Sequence, residues 1–270
     1  MAKILIRGGT VVSSTGRGAA DVLIDGETIA AVLAPGSTLL GFDVASNVDT
    51  VIDATGKYVI PGGIDAHTHM ELPFGGTNAS DTFETGTRAA AWGGTTSIID
   101  FAVQRYGERV EDGLAAWHEK AAGNCAIDYG FHQIIGGVDA ASLKAMDTLV
   151  DEGITSFKLF MAYPGVFYSD DGQIVQAMQK SAETGLLTMM HDENGPAIDV
   201  LAAQLAEAGK IAPYYHGIAR AWQMEEEATH RAIMLANLTG APLYVVHVSA
   251  KQAVDQLAWA RDQGWNVFGE

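Results

Sequence analysis

From Tyr58 onward, apolar strand-like runs alternate with longer helix-like segments, and this alternation restricts the fold more than any other feature of the sequence. Such alternation is typical of βαβ units that build a parallel sheet. Strands are predicted at 64–69, 95–103, 126–135, 156–161, 186–191, 243–248 and 266–269, with helices near 81–92, 108–122, 140–152, 172–184, 198–209, 224–238 and 252–263. We therefore expect an α/β fold, a TIM-type (β/α) barrel, with strands one to seven of the eight that close such a barrel.

The first 56 residues follow a different pattern, in which short strands are separated by turn residues. Asp25-Gly26 stands between two apolar runs and is a typical hairpin signal. We predict a small all-β portion over 1–56 and the barrel over 57–270. Because the sequence reaches Glu270 at its seventh strand signal, we expect the barrel to be incomplete at the C-terminus and the sequence to be truncated.

Charge and composition argue against several classes of function. The formal net charge of −17 disfavours binding to nucleic acid phosphates, which depends on clustered Lys and Arg. No apolar run reaches the ~18 residues of a transmembrane helix, and the N-terminal residues lack the apolar core of a signal peptide. The single cysteine, Cys125, cannot form an internal disulfide and fits a reducing compartment. We expect a cytoplasmic protein that acts on a small, neutral molecule, with no nucleic acid or membrane partner.

Four histidines are predicted to lie at one end of the sheet. His67 and His69 close the first barrel strand, where alternate residues point the same way, so both imidazoles can reach one metal ion. His191 and His247 lie at or near the ends of later apolar strands, on the face that carries TIM-barrel active sites. Each histidine alone is equally well explained as a core or rim residue with a hydrogen-bond partner. The four together predict a metal centre.

Lys158 lies in the middle of a predicted strand with apolar neighbours on both sides. Burial disfavours the ammonium form and can lower a lysine pKa from ~10.4 to ~5–6. The neutral amine can then add carbon dioxide, and the resulting carbamate has two oxygens that can bridge two cations. A lysine whose ammonium reaches the rim, or a Schiff-base lysine, is the alternative. Beside four histidines we favour the bridging carbamate.

Six segments resemble a known family, at 61–69, 73–77, 93–96, 155–163, 193–195 and 244–248. They occur in order over nearly the whole length, and the segment around Lys158 is the most specific. Through them the chain is similar to the cyclic-amide hydrolases of the amidohydrolase superfamily, the dihydropyrimidinase and D-hydantoinase family. The resemblance implies hydrolysis of the cyclic amide bond of dihydropyrimidines or 5-substituted hydantoins, giving N-carbamoyl amino acids. It also implies a homotetramer and an N-terminal portion that belongs to a small β-sandwich.

The resemblance further implies a role for each candidate residue. Two divalent metal ions, in the family zinc, would be held by His67 and His69 and by His191 and His247. Lys158, carboxylated by carbon dioxide, would bridge them, and a bridging hydroxide would attack the ring carbonyl. Tyr163 matches the tyrosine that donates to the developing oxyanion. The candidates for the pocket around the ring substituent are Phe74, Phe160 and Phe167.

The chain also departs from the family pattern. The aspartate that completes the metal site, on the eighth strand in the family, has no counterpart before Glu270. Glu71 stands where an aspartate is common, and Asp192 replaces a more usual alanine. Asp100, at the end of the second strand, is interpreted as a loop cap, with a contact to a metal ligand as the alternative. His132 is assigned no metal.

Other functions stay open at this point. An allantoinase-like cyclic ureide hydrolase is the nearest enzymatic alternative, disfavoured by the residues that follow Lys158. A dihydroorotase is disfavoured because Met70 and Glu71 occupy the stretch where that enzyme carries an arginine. A truncated or non-catalytic homologue that acts only in assembly is the alternative outside catalysis, and the retained histidines argue against it.

Overall fold

The computed structural model describes residues 2–39 and 41–270, and contacts divide the chain after Gly63 into two units. The first unit contains strands and one 3₁₀ helix at Val44–Asn47. Its strands are β1 (Lys3–Ser13), β2 (Gly16–Asp25), β3 (Thr28–Leu33), β4 (Thr38–Leu39), β5 (Phe42–Asp43), β6 (Thr50–Asp53) and β7 (Tyr58–Val59). The main sheet has the order β3-β2-β1-β6, with β7 also paired to β1. The hairpin predicted at Asp25-Gly26 joins β2 to β3, where Asp25 pairs with Thr28.

The second unit, from Ile64 to Glu270, alternates strands and helices. Its strands are β8 (Gly63–Thr68), β9 (Pro73–Phe74), β10 (Thr77–Asn78), β11 (Thr95–Gln104), β12 (Asp128–Ile135), β13 (Ser156–Phe160), β14 (Leu187–His191), β15 (Leu243–Val245) and β16 (Val267–Gly269). Its helices are α1 (Phe83–Gly93), α2 (Val110–Ala121), α3 (Ala140–Asp151), α4 (Asp171–Thr184), α5 (Gly195–Glu207), α6 (Tyr214–Ala219), α7 (Trp222–Thr239) and α8 (Lys251–Asp262). In the part of the chain that the structure describes, no helix is long and apolar enough to cross a membrane.

Seven strands of this unit form one sheet in the order β16-β15-β14-β13-β12-β11-β8, and the pairs from β11 to β16 are parallel. Each new strand is therefore added beside the one before it, with helices in the connections. This is the arrangement of an incomplete TIM barrel. The predicted fold class, with its separate N-terminal sheet, is confirmed.

The core of the second unit lies between the sheet and its helices. Phe101 of β11 and Phe157 of β13 are fully buried, as are Met146 of α3 and Ile233 of α7. Burying a side chain of this size stabilises the fold by about 1.5–3 kcal/mol. All five residues of β13 are buried, as expected for a barrel strand covered on both faces. Lys158 is one of them, so a lysine occupies a position that the fold otherwise fills with apolar side chains.

Helix α4 illustrates how local sequence sets the ends of the elements. The side chain of Asp170 accepts a hydrogen bond from the Gln173 N–H (2.9 Å), and the Gln173 side chain accepts one from the Asp170 N–H (3.0 Å). This capping box satisfies N–H groups that have no partner within the helix. The helix ends at Gly185, whose φ of +79° suits a residue without a side chain. The short loop leads directly into β14, which ends in His191.

Three local features differ from the predicted elements. The β9–β10 hairpin and helix α6 were not predicted, because each is too short to show a hydrophobic period. The strand predicted at 243–248 is too long, since β15 ends at Val245. His247 has a φ of +42°, which is outside the range of a β-strand, so the strand ends before this residue.

Candidate active site

One cavity of about 280 Å³ in the second unit is lined by every candidate residue named from the sequence. These residues are His67, His69, Phe74, Lys158, Phe160, Tyr163, Phe167, His191 and His247, and Leu72 and Ile134 complete the lining. They meet because parallel barrel strands bring their carboxyl ends to the same face. Their roles in binding and catalysis stay predictions.

The four imidazoles form a continuous row across this cavity. The ring centroid of His67 lies 5.1 Å from that of His69 and 5.4 Å from that of His247. The ring of His191 follows at 4.7 Å from His247. The Lys158 Nζ atom lies 3.1 Å from His67 Nε2. The row thus has a first end, His67 and His69, and a second end, His191 and His247. The Lys158 amine lies close to the first end.

Burial sets the protonation of Lys158. Its side chain is 1% exposed, and Nζ lies over the rings of Phe101 (4.5 Å) and Phe160 (5.1 Å). Desolvation lowers the pKa of Lys158 to about 7, against a smaller opposing effect of the Glu270 carboxylate. A substantial fraction of the amine is therefore neutral near pH 7, as carbamate formation requires.

The histidines are held in the neutral form that binds metals. Burial, followed by the positive charge of Lys158, lowers the pKa of His69 to about 3. The pKa of His247 is also lowered to about 3, by burial and then by His191. Burial likewise lowers the pKa values of His67 and His191. Neutral imidazole is the metal-binding form.

Two of these rings each have one nitrogen that is hydrogen-bonded to a carboxylate. Glu270 accepts a short hydrogen bond from His67 Nδ1, and Glu193 accepts one from His191 Nε2 at 2.7 Å. Ligating histidines in metal sites almost always donate their other ring N–H in this way. His69 Nδ1 is buried and has no hydrogen-bond partner among the described residues. The donor set therefore fits divalent metal ions.

In residues 2–39 and 41–270, no three His, Cys, Asp or Glu side chains already converge on one metal position. The predicted ligands do not form such a group by themselves. Each pair of histidines would need an oxygen of carboxylated Lys158 as its third ligand. The unmodified lysine lacks the two oxygens that this requires.

Tyr163 stands at a sharp turn after β13. Its φ is +62°, and its carbonyl oxygen accepts hydrogen bonds from the N–H groups of Val166 (3.0 Å) and Phe167 (3.1 Å). The phenol ring lies 5.1 Å from the ring of His191. Burial raises the pKa of Tyr163, so its hydroxyl keeps its proton at neutral pH and can donate it in a hydrogen bond.

A neighbouring glycine explains how the loop of Tyr163 approaches the loop after β14. The Gly195 N–H donates to the Met161 carbonyl at 3.0 Å. A Cβ atom on Gly195 would lie 2.7 Å from the Ala162 Cα atom, closer than non-bonded carbon atoms approach. Only glycine allows these two loops to pack together at this distance.

Three phenylalanines form an apolar wall beside the histidines. The Phe167 ring stacks on Phe160 at 5.0 Å and lies 6.3 Å from the nearly parallel ring of Phe74. Phe160 and Phe167 are each 5% exposed, whereas Phe74 is 41% exposed. Phe160 and Phe167 also belong to the hydrophobic core, so Phe74 is the residue of this wall that can be substituted without altering the core.

Asp100 fixes the end of β8. It has no exposed surface and accepts hydrogen bonds from Thr68 Oγ1 (2.8 Å), Met70 N (2.8 Å) and Trp117 Nε1 (2.9 Å). Thr68 and Met70 flank His69, so this carboxylate holds the end of β8 and the start of the following loop, as its interpretation as a loop cap predicts. Burial raises the pKa of Asp100, and these hydrogen bonds oppose the shift.

Sequence reasoning gave no role to Glu193, Glu270 or Arg220. Arg220 Nη1 donates to Glu193 Oε2 at 2.6 Å, and its guanidinium lies 5.5 Å from the ring centroid of Tyr163. Glu193 fell within a matched segment, which was the single available signal. His132 is packed against Phe101, and both of its ring nitrogens already have partners, Ser156 Oγ and the Ala66 carbonyl. His132 is therefore not available to a metal.

Asp192 is buried beside this site, with 3% of its surface exposed. Neither of its carboxyl oxygens has a hydrogen-bond partner within the described residues. Burial raises its pKa well above the usual range, in spite of the positive charge of Arg231. The neutral acid is therefore favoured, and Asp192 adds less negative charge beside His191 than its residue type suggests.

The amidohydrolase family model matches residues 58–215. The D-hydantoinase of Streptomyces coelicolor is 61% identical over 268 residues, which cover 99% of this chain and 57% of that protein. The D-hydantoinase of Geobacillus stearothermophilus is 47% identical, with 98% of this chain and 55% of that protein covered. Among solved structures, the dihydropyrimidinase from Brevibacillus agri has a TM-score of 0.93 at 47% identity, over 99% of this chain and 56% of that one. The chain thus spans a little over half the length of these relatives.

Proposed function

The chain belongs to the amidohydrolase family, and on this premise we propose that it hydrolyses the cyclic amide bond of dihydropyrimidines or 5-substituted hydantoins to give N-carbamoyl amino acids. The observation that carries the proposal is the convergence of four histidines and a buried lysine on one cavity with an apolar wall. The names of the matched relatives, D-hydantoinase and dihydropyrimidinase, support the substrate class.

Two divalent metal ions are part of the proposal, with zinc as the expected metal. His67 and His69 would hold one ion, His191 and His247 the other, and carboxylated Lys158 both. Carboxylation joins the neutral Nζ atom to the carbon of carbon dioxide and releases one proton from nitrogen, which yields the anionic carbamate. When bound, such ions lower the pKa of water and polarise a carbonyl group.

The protein's own side chains would orient the ring and stabilise charge. The Tyr163 hydroxyl donates a hydrogen bond to the oxygen that becomes negative as the ring carbonyl is attacked, a kind of contact that contributes about 10²–10³-fold to kcat in enzymes with an oxyanion hole. Phe74, Phe160 and Phe167 contact the ring substituent and exclude water from it. The apolar wall and the neutral histidines favour an uncharged cyclic ureide as substrate.

Other aspects of the proposal come from the sequence and its resemblance. We place the protein in the cytoplasm, in agreement with its single cysteine, and expect a homo-oligomer, a tetramer by resemblance. The formal charge of −17 disfavours nucleic acid as a partner. A small β-sandwich portion over 1–56 and a barrel over 57–270 remain the proposed domain organisation.

The test uses the protein in the full length that its gene encodes. Ring opening of dihydrouracil, phenylhydantoin and allantoin is measured together with metal content. We expect about two zinc ions per chain and hydrolysis of the first two compounds. Lys158→Ala should lower kcat by about 10³-fold or more because one group would contact both metals. Lys144→Ala, which alters an exposed lysine on α3, is the matched control and should change nothing.

Four results would overturn the proposal. A metal-free protein, or a Lys158→Ala variant with wild-type activity, would show that the mechanism is wrong. Hydrolysis of allantoin alone would transfer the assignment to an allantoinase-like enzyme. Bound zinc without hydrolysis of any of the three compounds would favour the non-catalytic homologue.

A further inference from the structure

Arg220 follows helix α6, outside the barrel strands, and yet lines a second cavity of about 270 Å³, which shares His191 and His247 with the first. Its Nη1 atom donates to Glu193 Oε2 at 2.6 Å, and the same oxygen accepts from His191 Nε2 at 2.7 Å. One carboxylate oxygen therefore joins an arginine to a histidine of the cavity.

This group of three is largely removed from water. The side chains of Arg220, Glu193 and His191 are 22%, 20% and 10% exposed. Arg220 and Glu193 form an ion pair, so the hydrogen bond between them is charge-assisted and directional.

The same guanidinium reaches Tyr163. Its Cζ atom lies 5.5 Å from the centre of the phenol ring, within the range of a cation–π contact. The Tyr163 ring lies in turn 5.1 Å from the ring of His191. Arg220 thus contacts, directly or through Glu193, two residues that come from different barrel loops.

We propose that Arg220, through Glu193, is a positioning residue that fixes the His191 imidazole and the Tyr163 ring relative to one another. The hydrogen bond to Glu193 orients the His191 ring, so that Nδ1 is left available to the cavity. The guanidinium face holds Tyr163 at the turn where its φ is +62°. The inference rests on the proposed function, since it assigns to His191 a metal and to Tyr163 the oxyanion.

Arginine is required because its planar group performs two tasks at once. The edge of a guanidinium donates hydrogen bonds in a fixed direction while its face stacks on an aromatic ring. A lysine ammonium at this position can keep the charge and one of the two contacts. Arg220→Lys therefore separates the geometric role from a purely electrostatic one.

The test compares Arg220→Met, Arg220→Lys and Arg261→Met in the same full-length protein. Arg261 is a matched control, because its Nη1 atom donates to the Val267 carbonyl at 3.0 Å and its Cζ atom lies 4.8 Å from the centre of the Phe268 ring, and neither of these partners lines the cavities at His191. The measurements are kcat and KM for phenylhydantoin, zinc content after dialysis, and Tm.

Arg220→Met should lower kcat about 10- to 100-fold, the usual cost of losing such an indirect partner, and should lower zinc content after dialysis toward one ion per chain. KM should change far less than kcat, and Tm should fall no further than in Arg261→Met. Arg220→Lys should keep the Tm of the wild type and still lose most of the kcat. The double variant with Tyr163→Phe should lose less activity than the product of the two single effects.

Wild-type protein without zinc and without hydrolysis would overturn the proposed function and this inference together. An active wild type whose Arg220→Met variant keeps its zinc and the kcat of Arg261→Met would overturn the inference alone. If Arg220→Met does not fold, Glu193→Gln takes its place, because it keeps the shape of the side chain and removes the charge. Wild-type kcat and zinc content in that variant would equally overturn the inference.

Discussion

The two ends of the histidine row are held by different kinds of structure. The first end, His67 and His69, adjoins Asp100, a carboxylate with no exposed surface that is bonded to backbone, hydroxyl and indole groups of the core. The second end, His191 and His247, adjoins the Arg220–Glu193 pair, whose side chains are about a fifth exposed. The first end is therefore built into the folded core, whereas the second depends on side chains contributed by loops and a short helix.

This contrast has an energetic meaning. Leaving a buried donor without a partner costs about 1–3 kcal/mol each, so a change beneath the first end should appear mainly as lost stability. The side chains of the Arg220–Glu193 pair are about a fifth exposed, so water can partly solvate one partner when the other is removed. Changes at the second end should therefore spare the fold and appear in turnover or metal content.

The largest effect is expected from Asp100→Ala. Four groups, Thr68 Oγ1, Met70 N, Phe101 N and Trp117 Nε1, would lose a buried acceptor, and the free energy of unfolding should fall by about 3–5 kcal/mol. Urea unfolding measures this loss. Asp139→Ala, which removes the exposed cap of α3, is the control and should cost about 1 kcal/mol. Equal losses in the two variants would remove the distinction between the two ends.

Tyr163→Phe should lower activity and leave stability unchanged. Removal of the hydroxyl takes away the proposed donor to the oxyanion and should lower kcat about 10²–10³-fold. The phenyl ring keeps its contacts with His191 and Arg220, so urea unfolding should give the wild-type free energy. Tyr168→Phe is a suitable control at the neighbouring turn. A large loss of stability without loss of kcat would place Tyr163 among the structural residues.

Stepwise removal of metal should distinguish the two ends by a smaller amount. As a chelator is titrated into the protein, we expect the ion at His191 and His247 to leave at a concentration about 10-fold lower than the ion at His67 and His69, because the Arg220–Glu193 pair is partly exposed whereas Asp100, which holds the end of β8, is fully buried. Metal content and activity are followed together at each chelator concentration. Simultaneous loss of both ions would show that the two ends do not differ in affinity.

The smallest effect is expected at the apolar wall. Phe74 is 41% exposed, so Phe74→Ala should leave stability nearly unchanged and weaken binding of phenylhydantoin by about 1 kcal/mol, a roughly fivefold rise in KM. Dihydrouracil, which has no aromatic substituent, should be unaffected. Phe160→Ala alters a residue that is 5% exposed and should instead destabilise the fold by about 3–5 kcal/mol. An equal rise in KM for both substrates would show that Phe74 does not contact the ring substituent.

The parts of the molecule that sequence predicted are those with a local signal. Strands of the barrel alternate regularly with helices, and a polar residue that interrupts an apolar strand, such as Lys158, is visible without knowledge of its neighbours. Because the ends of parallel strands meet, His191 could be placed at the same edge of the sheet as His67 from topology alone.

The missed parts depend on contacts between distant positions. Arg220 and Glu193 are 27 residues apart, and neither lies on a periodic apolar pattern that would indicate their pairing. The left-handed backbone of His247 also has no signature, since most residues with positive φ are glycines. Long-range side-chain pairs and single backbone reversals were therefore beyond a local interpretation of the sequence.

The contact between His67 and Glu270 joins residues 203 positions apart, at the two outer strands of a sheet whose strands follow one another in chain order. Closing so long a loop has an entropic cost, which slows the formation of non-local contacts during folding. Every other strand of the sheet lies between these two in the chain, so the contact is among the least local in the unit. We therefore expect His67 to gain its carboxylate partner late in folding, and a metal-binding signal recorded during refolding would test this.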